Sequence, residues 1–202
     1  MGEQRLSVRE EQKRLTRDRL LDAAVEVFAE KSSMDATMDD IAKAAAVSRV
    51  TVYAHFPSKT DIVLALADRL YTLGDTVYAD LAERPVWTRA TVRDWLDVVE
   101  TRWREQAASI RVLTMAGPPA SIAGTLAARE RYVARLTADR SRWRAVTPGQ
   151  ARQRALMTAL LIESFFAAWI ATGWPTDTGD PLELLTDTIC HLLAPALAAE
   201  PG

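Results

Sequence analysis

Arg49, Thr51, Tyr53 and His55 fall within seven residues, with Ser48 just before them and Lys59 shortly after. The stretch Arg49 to His55 holds no carboxylate and no thiol, so its chemistry is that of hydrogen-bond donors. Such side chains suit an anionic polymer. A guanidinium can fork onto a guanine edge and a threonine methyl can touch thymine, whereas Tyr, His and Lys more often bond phosphate. On these grounds Arg49 and Thr51 are assigned to base edges, and Tyr53, His55 and Lys59 to phosphates. Thr37 and Ser48 carry hydroxyls that can donate to phosphate as well as cap helices. Val50 offers either a thymine contact or a spacer that holds this stretch slightly away from the bases. For His55 a packed position beneath this stretch stands as the alternative, and Phe56 and Val47 are assigned to the core.

Elsewhere the residues for catalysis are thin. His55 and His191 are the two histidines and Cys190 the one cysteine, so no metal-ligand set or nucleophile–base pair can be placed. No glycine-rich phosphate loop occurs, no cofactor is expected, and His191 and Cys190 read as packing or interface residues. One cysteine excludes an intramolecular disulfide and suits a reducing cytosol. The net charge of −2 gives no global attraction to nucleic acid, but Arg5, Arg9, Lys13, Arg14, Arg17 and Arg19 crowd the N-terminal region. They read first as a loose, solvated terminus, with a basic arm along phosphates or in a minor groove as the alternative. Residues 1–16 lack the apolar centre of a signal peptide. The apolar run from Ala155 to Ala171 is broken by Thr158, Glu163 and Ser164 and falls short of a membrane span. A soluble, cytoplasmic protein with no membrane partner is expected.

The elements that must position the donors begin with Thr37, whose hydroxyl and the Asp40 carboxylate three residues on form a capping box. Ile41 and the alanines after it supply a thin apolar face. Ser48 repeats the start signal, Pro57 disfavours helix at Phe56, and Ser58-Lys59-Thr60-Asp61 opens a long helix. A short polar helix propped by a turn on an apolar one is the arrangement of a helix-turn-helix. The run Thr37, Asp40-Ile41-Ala42, Val47-Ser48, Tyr53, His55-Phe56 and Ser58-Lys59, with Ala23-Ala24 and Phe28 upstream, resembles the N-terminal DNA-binding domain of the TetR family of transcriptional regulators. The resemblance implies a DNA-binding head over residues 1–58 and a helical effector-binding and dimerisation body over 59–202. Ala46 and Val50 depart from it, since the family often has Gly at both. Ala46 must fit the turn without glycine's freedom at positive φ.

Helical periodicity covers the chain and no strand pattern or internal repeat is evident, so the fold class is all-α. The first helix is expected from Ser7 to about Glu30, with a stripe of Leu20, Leu21, Ala24, Val27 and Phe28. The next long helix runs from Lys59 to near Arg84-Pro85. Val92, Trp95, Leu96, Val99 and Trp103 make one further stripe, and a short helix spans about Ser109 to Met115 before Gly117-Pro118-Pro119. Ile122, Leu126, Tyr132, Val133, Leu136 and Trp143 mark another, decorated with arginines on its outer face. Thr147-Pro148-Gly149-Gln150 restarts a helix to Thr172, closed by Gly173 with Pro175 beyond, and Asp180-Pro181 starts the last one.

The helix from Pro148 to Thr172 is apolar on more than one side, so it must be covered nearly all round. A homodimer through the last two helices would cover it, as the resemblance implies; a central core helix in a monomer is the alternative. The resemblance also implies a small-molecule effector pocket in the body. Trp95, Trp103, Met115, Tyr132, Trp143, Phe165 and Trp169 are candidates for its wall, with ordinary core packing as the alternative for each. Glu163 sits among apolar helical neighbours, so it is paired, exposed at a rim, or directed into a cavity. The expected function is a ligand-responsive regulator, most simply a repressor, that reads a palindromic double-stranded operator as a dimer and is released by a small, largely apolar effector. A helical small-molecule binder or enzyme without DNA binding is the rival class.

Overall fold

The computed structural model describes residues 7–115, 122–173 and 179–198, and among these every regular element is helical. The helices are α1 (Val8–Asp35), α2 (Met38–Ala44), α3 (Arg49–His55), α4 (Lys59–Glu83), α5 (Arg89–Glu105), α6 (Ala107–Met115), α7 (Ile122–Leu136), α8 (Pro148–Thr172) and α9 (Pro181–Leu193), followed by a 3-10 turn at Ala194–Ala196. The chain is all-α, and it separates into two compact units. The first comprises residues 1–67 and 108–120, the second 68–107 and 121–202. The helix α4 is continuous and contributes to both.

Local caps account for most of the helix starts. Ser7 with Glu10, Thr37 with Asp40, Thr88 with Thr91 and Thr147 with Gln150 form reciprocal boxes that satisfy first-turn amides. Ser58 Oγ donates to Asp61 at 2.6 Å and accepts its N–H, which opens α4. Asp180 accepts from the Leu182 N–H ahead of α9. Gly173 closes α8 at φ 74, while Gly117-Pro118-Pro119 and Pro175 lie outside the described residues.

In the first unit Leu20, Ala24, Phe28, Ile41, Val52, Phe56, Ile62, Leu66 and Val112 form the core. Regular α1 ends close to where the apolar stripe ends. Ser32 takes φ 65 and ψ 154, and only a further turn continues to Asp35. In the second unit α9 packs on α5 and α8, and α7 packs on α8. Its core is built on Tyr78, Trp87, Trp95, Tyr132, Trp143, Phe166 and Ile189. The buried indoles are satisfied: Trp87, Trp95 and Trp143 donate to the carbonyls of Leu81, Val77 and Leu136 at 2.7, 2.9 and 3.0 Å. Arg89 and Arg93 tie α5 to Asp180, Glu183 and Asp187.

Two expectations for α7 are corrected. The helix stops at Leu136, and Trp143 lies in the turns that follow, where Asp139 accepts from Ser141 and Arg142 and holds the chain out of helix. Leu126 is 56% exposed rather than part of the buried stripe, because the core-facing positions of α7 are Ala128, Tyr132, Val133 and Leu136.

Candidate nucleic-acid interface

The turn between α2 and α3 is a Schellman closure. Val47 N–H reaches Ala42 O at 3.0 Å and Ala46 N–H reaches Lys43 O at 3.1 Å. Ala46 occupies the left-handed position at φ 50, where a Cβ costs about 1–2 kcal/mol relative to glycine. The turn foreseen as needing positive φ is thus made by alanine under strain.

Ser48 then caps α3, accepting Thr51 N–H at 3.1 Å and sharing a 2.8 Å hydrogen bond with the Thr51 hydroxyl. One face of α3 is anchored: Val52 and the following Phe56 are buried, with Val47 partly buried against the same core. The opposite face is open. Val50 is 79% exposed and Tyr53 43% exposed, and Arg49 lies over the Tyr53 ring at 5.6 Å. Arg49 is also held by both oxygens of Asp39 on α2, with Nε at 3.1 Å and Nη1 at 3.3 Å. Both side chains are exposed, so the link is weak and water or another anion can replace Asp39.

Thr37 and Lys59 are engaged within the first unit. The Thr37 hydroxyl and N–H both go to Asp40, which also takes Lys31 Nζ at 2.7 Å. The Lys31 ammonium, then Thr37, hold the Asp40 carboxyl well below the usual range. Lys59 Nζ donates to Met34 O at 2.9 Å and Ala36 O at 2.6 Å, the carbonyls at the end of α1. Burial, then the charges of Lys13 and Arg17, push His55 below the usual histidine range. At neutral pH it is therefore an uncharged donor.

The same effect bears on the basic N-terminal residues, expected as a solvated terminus. The basic N-terminal residues from Arg9 onward are not a loose terminus. They lie on α1, where Lys13 and Arg17 act on His55 and Arg17 stacks over Phe56 at 4.3 Å. The Ser7–Glu10 box is the start signal that the sequence offered for this helix, and it fixes them there.

These features match a known domain. The family model described as bacterial regulatory proteins, tetR family, covers residues 20–66. The uncharacterized HTH-type transcriptional regulator TtgW of Pseudomonas putida is 39% identical over 98 residues, spanning 48% of this chain and 72% of that one. The chain belongs to the TetR family of transcriptional regulators. The family and the relatives that it matches are transcriptional regulators. SrpR of Pseudomonas putida is also 39% identical over 98 residues, and there the match spans less than half, 46%, of the relative's length. Among solved structures, GusR of Salmonella enterica aligns with TM-score 0.64 at 21% identity over 89% of this chain and 95% of that one. FadR of Bacillus subtilis in complex with stearoyl-CoA aligns with TM-score 0.60 at 20% identity over 90% and 99%. Both share the fold.

The candidate wall residues in the second unit fall into three places. Trp95 and Tyr132 are buried with Tyr78. Trp103, Phe165 and Trp169 are half-buried around Phe166, with the Arg104 guanidinium over Trp169 at 4.7 Å. Trp143 packs edge-on against Trp87 and borders an open cleft of ≈ 300 Å³ with Arg140, Arg144 and Arg152. Met115 belongs to the first unit and is 83% exposed. Glu163 is paired: Arg129 Nε and Nη2 both reach its Oε2, at 2.9 and 2.8 Å. Burial nevertheless lifts the Glu163 carboxyl above the usual range, with Arg129 opposing. Arg129 and Tyr78 were missed from sequence, the first because it read as one of α7's surface arginines. No described helix is long and apolar enough to cross a membrane.

Proposed function

We propose that this chain is a ligand-responsive repressor that binds a palindromic operator as a homodimer and leaves it when a small, largely apolar effector occupies the second unit. The observation that carries the reading is α3: anchored by Val52 and Phe56, it presents Arg49, Val50 and Tyr53 to solvent. In this reading Arg49 exchanges Asp39 for a guanine edge, Val50 and Thr51 meet thymine methyls, and Tyr53 and neutral His55 donate to phosphates. Thr37 and Ser48 hold the helix starts at the backbone, and Lys13 and Arg17 add charge beside them. Lys59, expected at a phosphate, serves instead as a clasp on the end of α1.

Dimerisation is assigned to α8 and α9. Met157 and Leu160 on α8 and Leu184 on α9 are large apolar side chains left exposed by a single chain. A second copy of the pair would bury them as a four-helix bundle, and it would supply the second α3 that a two-half-site operator requires. FadR from Bacillus subtilis and FadR from Thermus thermophilus are solved in complex with stearoyl-CoA and lauroyl-CoA, whose acyl parts are apolar chains. The aromatic side chains of the second unit suit an apolar body of that kind. Because α4 is one helix shared by both units, it is the covalent lever by which occupancy would reset α3.

Gel shifts on operator fragments captured from the genome, with sedimentation of the free protein, test this reading. Arg49→Ala should relax sequence preference, and Leu184→Glu should yield a monomer with weak operator binding. Linkage requires operator to weaken effector binding by the factor by which effector weakens operator binding. A monomeric protein that binds all DNA alike would overturn the proposal.

A further inference from the structure

One polar group in the second unit stands out. The Tyr78 hydroxyl is fully buried and has no hydrogen-bond partner among the described residues. Its neighbours are provided for. The Tyr132 hydroxyl donates to Tyr71 O at 2.9 Å, Tyr71 and Thr125 share a 2.5 Å hydrogen bond, and Trp95 is bonded to Val77 O. A buried hydroxyl left unpaired is costly, and such groups call for a water, an ion or a ligand atom. The charges of Glu163 and Arg129 both act on Tyr78. Arg129 meets Glu163 at Oε2, through an Nε hydrogen bond and a close Nη2, and no described bond uses Oε1.

We propose that Tyr78 Oη and Glu163 Oε1 form the polar anchor of a site for an uncharged hydroxylated ligand, a phenol or alcohol on an apolar body. This rests on the effector reading above and names the chemistry of that effector. Charge selects the class. The Arg129–Glu163 pair is neutral as a whole, so an added carboxylate would face Glu163 and an added ammonium would face Arg129, both away from bulk water. Hydrogen bonding narrows it. A hydroxyl can accept from the Tyr78 O–H while donating to a carboxylate oxygen, which an ether, a carboxylate or an ammonium cannot do. The rings of Tyr132, stacked on Tyr78 at 4.6 Å, and of Trp95, at 5.8 Å, supply apolar surface beside the anchor.

Four probes with one body separate the head groups: para-butylphenol, butylbenzene, para-butylbenzoate and para-butylbenzylammonium, titrated calorimetrically into the full chain. The phenol should bind tightest. Tyr78→Phe should weaken it roughly tenfold, the loss of one net hydrogen bond, and Glu163→Gln, which keeps an acceptor oxygen but drops the charge, should weaken it less; both should leave butylbenzene unchanged. The melting temperature of unliganded Tyr78→Phe should equal or exceed that of the wild type, because the hydroxyl it removes is unpaired. Tighter binding of the benzoate or the benzylammonium, phenol affinity unaltered by Tyr78→Phe, a lowered melting temperature for that variant, or no binding of any probe would each overturn the anchor. Gel shifts on the same samples report DNA reading separately, so the anchor can fail while the regulator reading stands.

Discussion

Replacing Lys59 by Met should destabilise the first unit and leave the electrostatics of DNA binding almost untouched. Lys59 Nζ donates to Met34 O at 2.9 Å and to Ala36 O at 2.6 Å, closing the C-terminal end of α1. Hydrogen bonds from a charged donor contribute about 1.5–3 kcal/mol each when buried. Here the Met34 bond is exposed and the Ala36 bond only part-buried, so both are discounted to about 2 kcal/mol together, including the favourable charge at a helix C-terminus. For a unit of this size that corresponds to a fall of roughly 10 °C in melting temperature. Thermal melts followed by circular dichroism measure it. Fluorescence anisotropy on labelled operator over a salt series, well below the melting range, supplies the second readout. If Lys59 instead spent its charge on phosphate, the slope of log K against log salt would fall by about 0.9. A melting temperature within about 1 °C of wild type, joined to that loss of slope, would refute the clasp.

Ala46→Gly should raise stability by about 1 kcal/mol, since φ 50 costs glycine nothing and the closure around it is already made; urea midpoints test it. Gly74→Ala should act in the opposite direction. A Cβ there would stand 2.3 Å from Tyr132 Oη and 2.6 Å from its Cζ, in a ring that is buried and bonded to Tyr71 O. Displacing the ring costs about 1–3 kcal/mol by overpacking, against about 1 kcal/mol gained in helix propensity, so urea melts should show net destabilisation and near-ultraviolet dichroism a disturbed Tyr132. Lys31 and Thr37 depress the Asp40 carboxyl in the folded state. The stabilisation from this group is therefore present above its unfolded pKa of about 3.9 and is lost as pH falls below it. Asp40→Asn should lower stability at neutral pH and flatten the acid limb of a pH–stability curve; an unchanged acid limb would show that Asp40 does not carry it.

The helix starts were legible because each depends on residues three apart. Thr37 with Asp40 and Thr147 with Gln150 complete their boxes, and Ser58 exchanges hydrogen bonds with Asp61, within one turn, whatever the rest of the chain does. The same holds for the all-α class and for the exposed face of α3, which follows from one anchored position, Val52, on a short polar helix. Partner choice over longer separations was not legible. Lys59 finds carbonyls 23 and 25 residues away, Arg129 finds Glu163 at a separation of 34, and Arg131 finds Asp75 at 56. Periodicity says which side of a helix faces inward, but not which neighbour it meets there. Lys59 therefore read as a phosphate ligand, Arg129 as a surface charge and Tyr78 as unremarkable, until packing set one against a helix end, joined another to Glu163, and buried the third with its hydroxyl unmet.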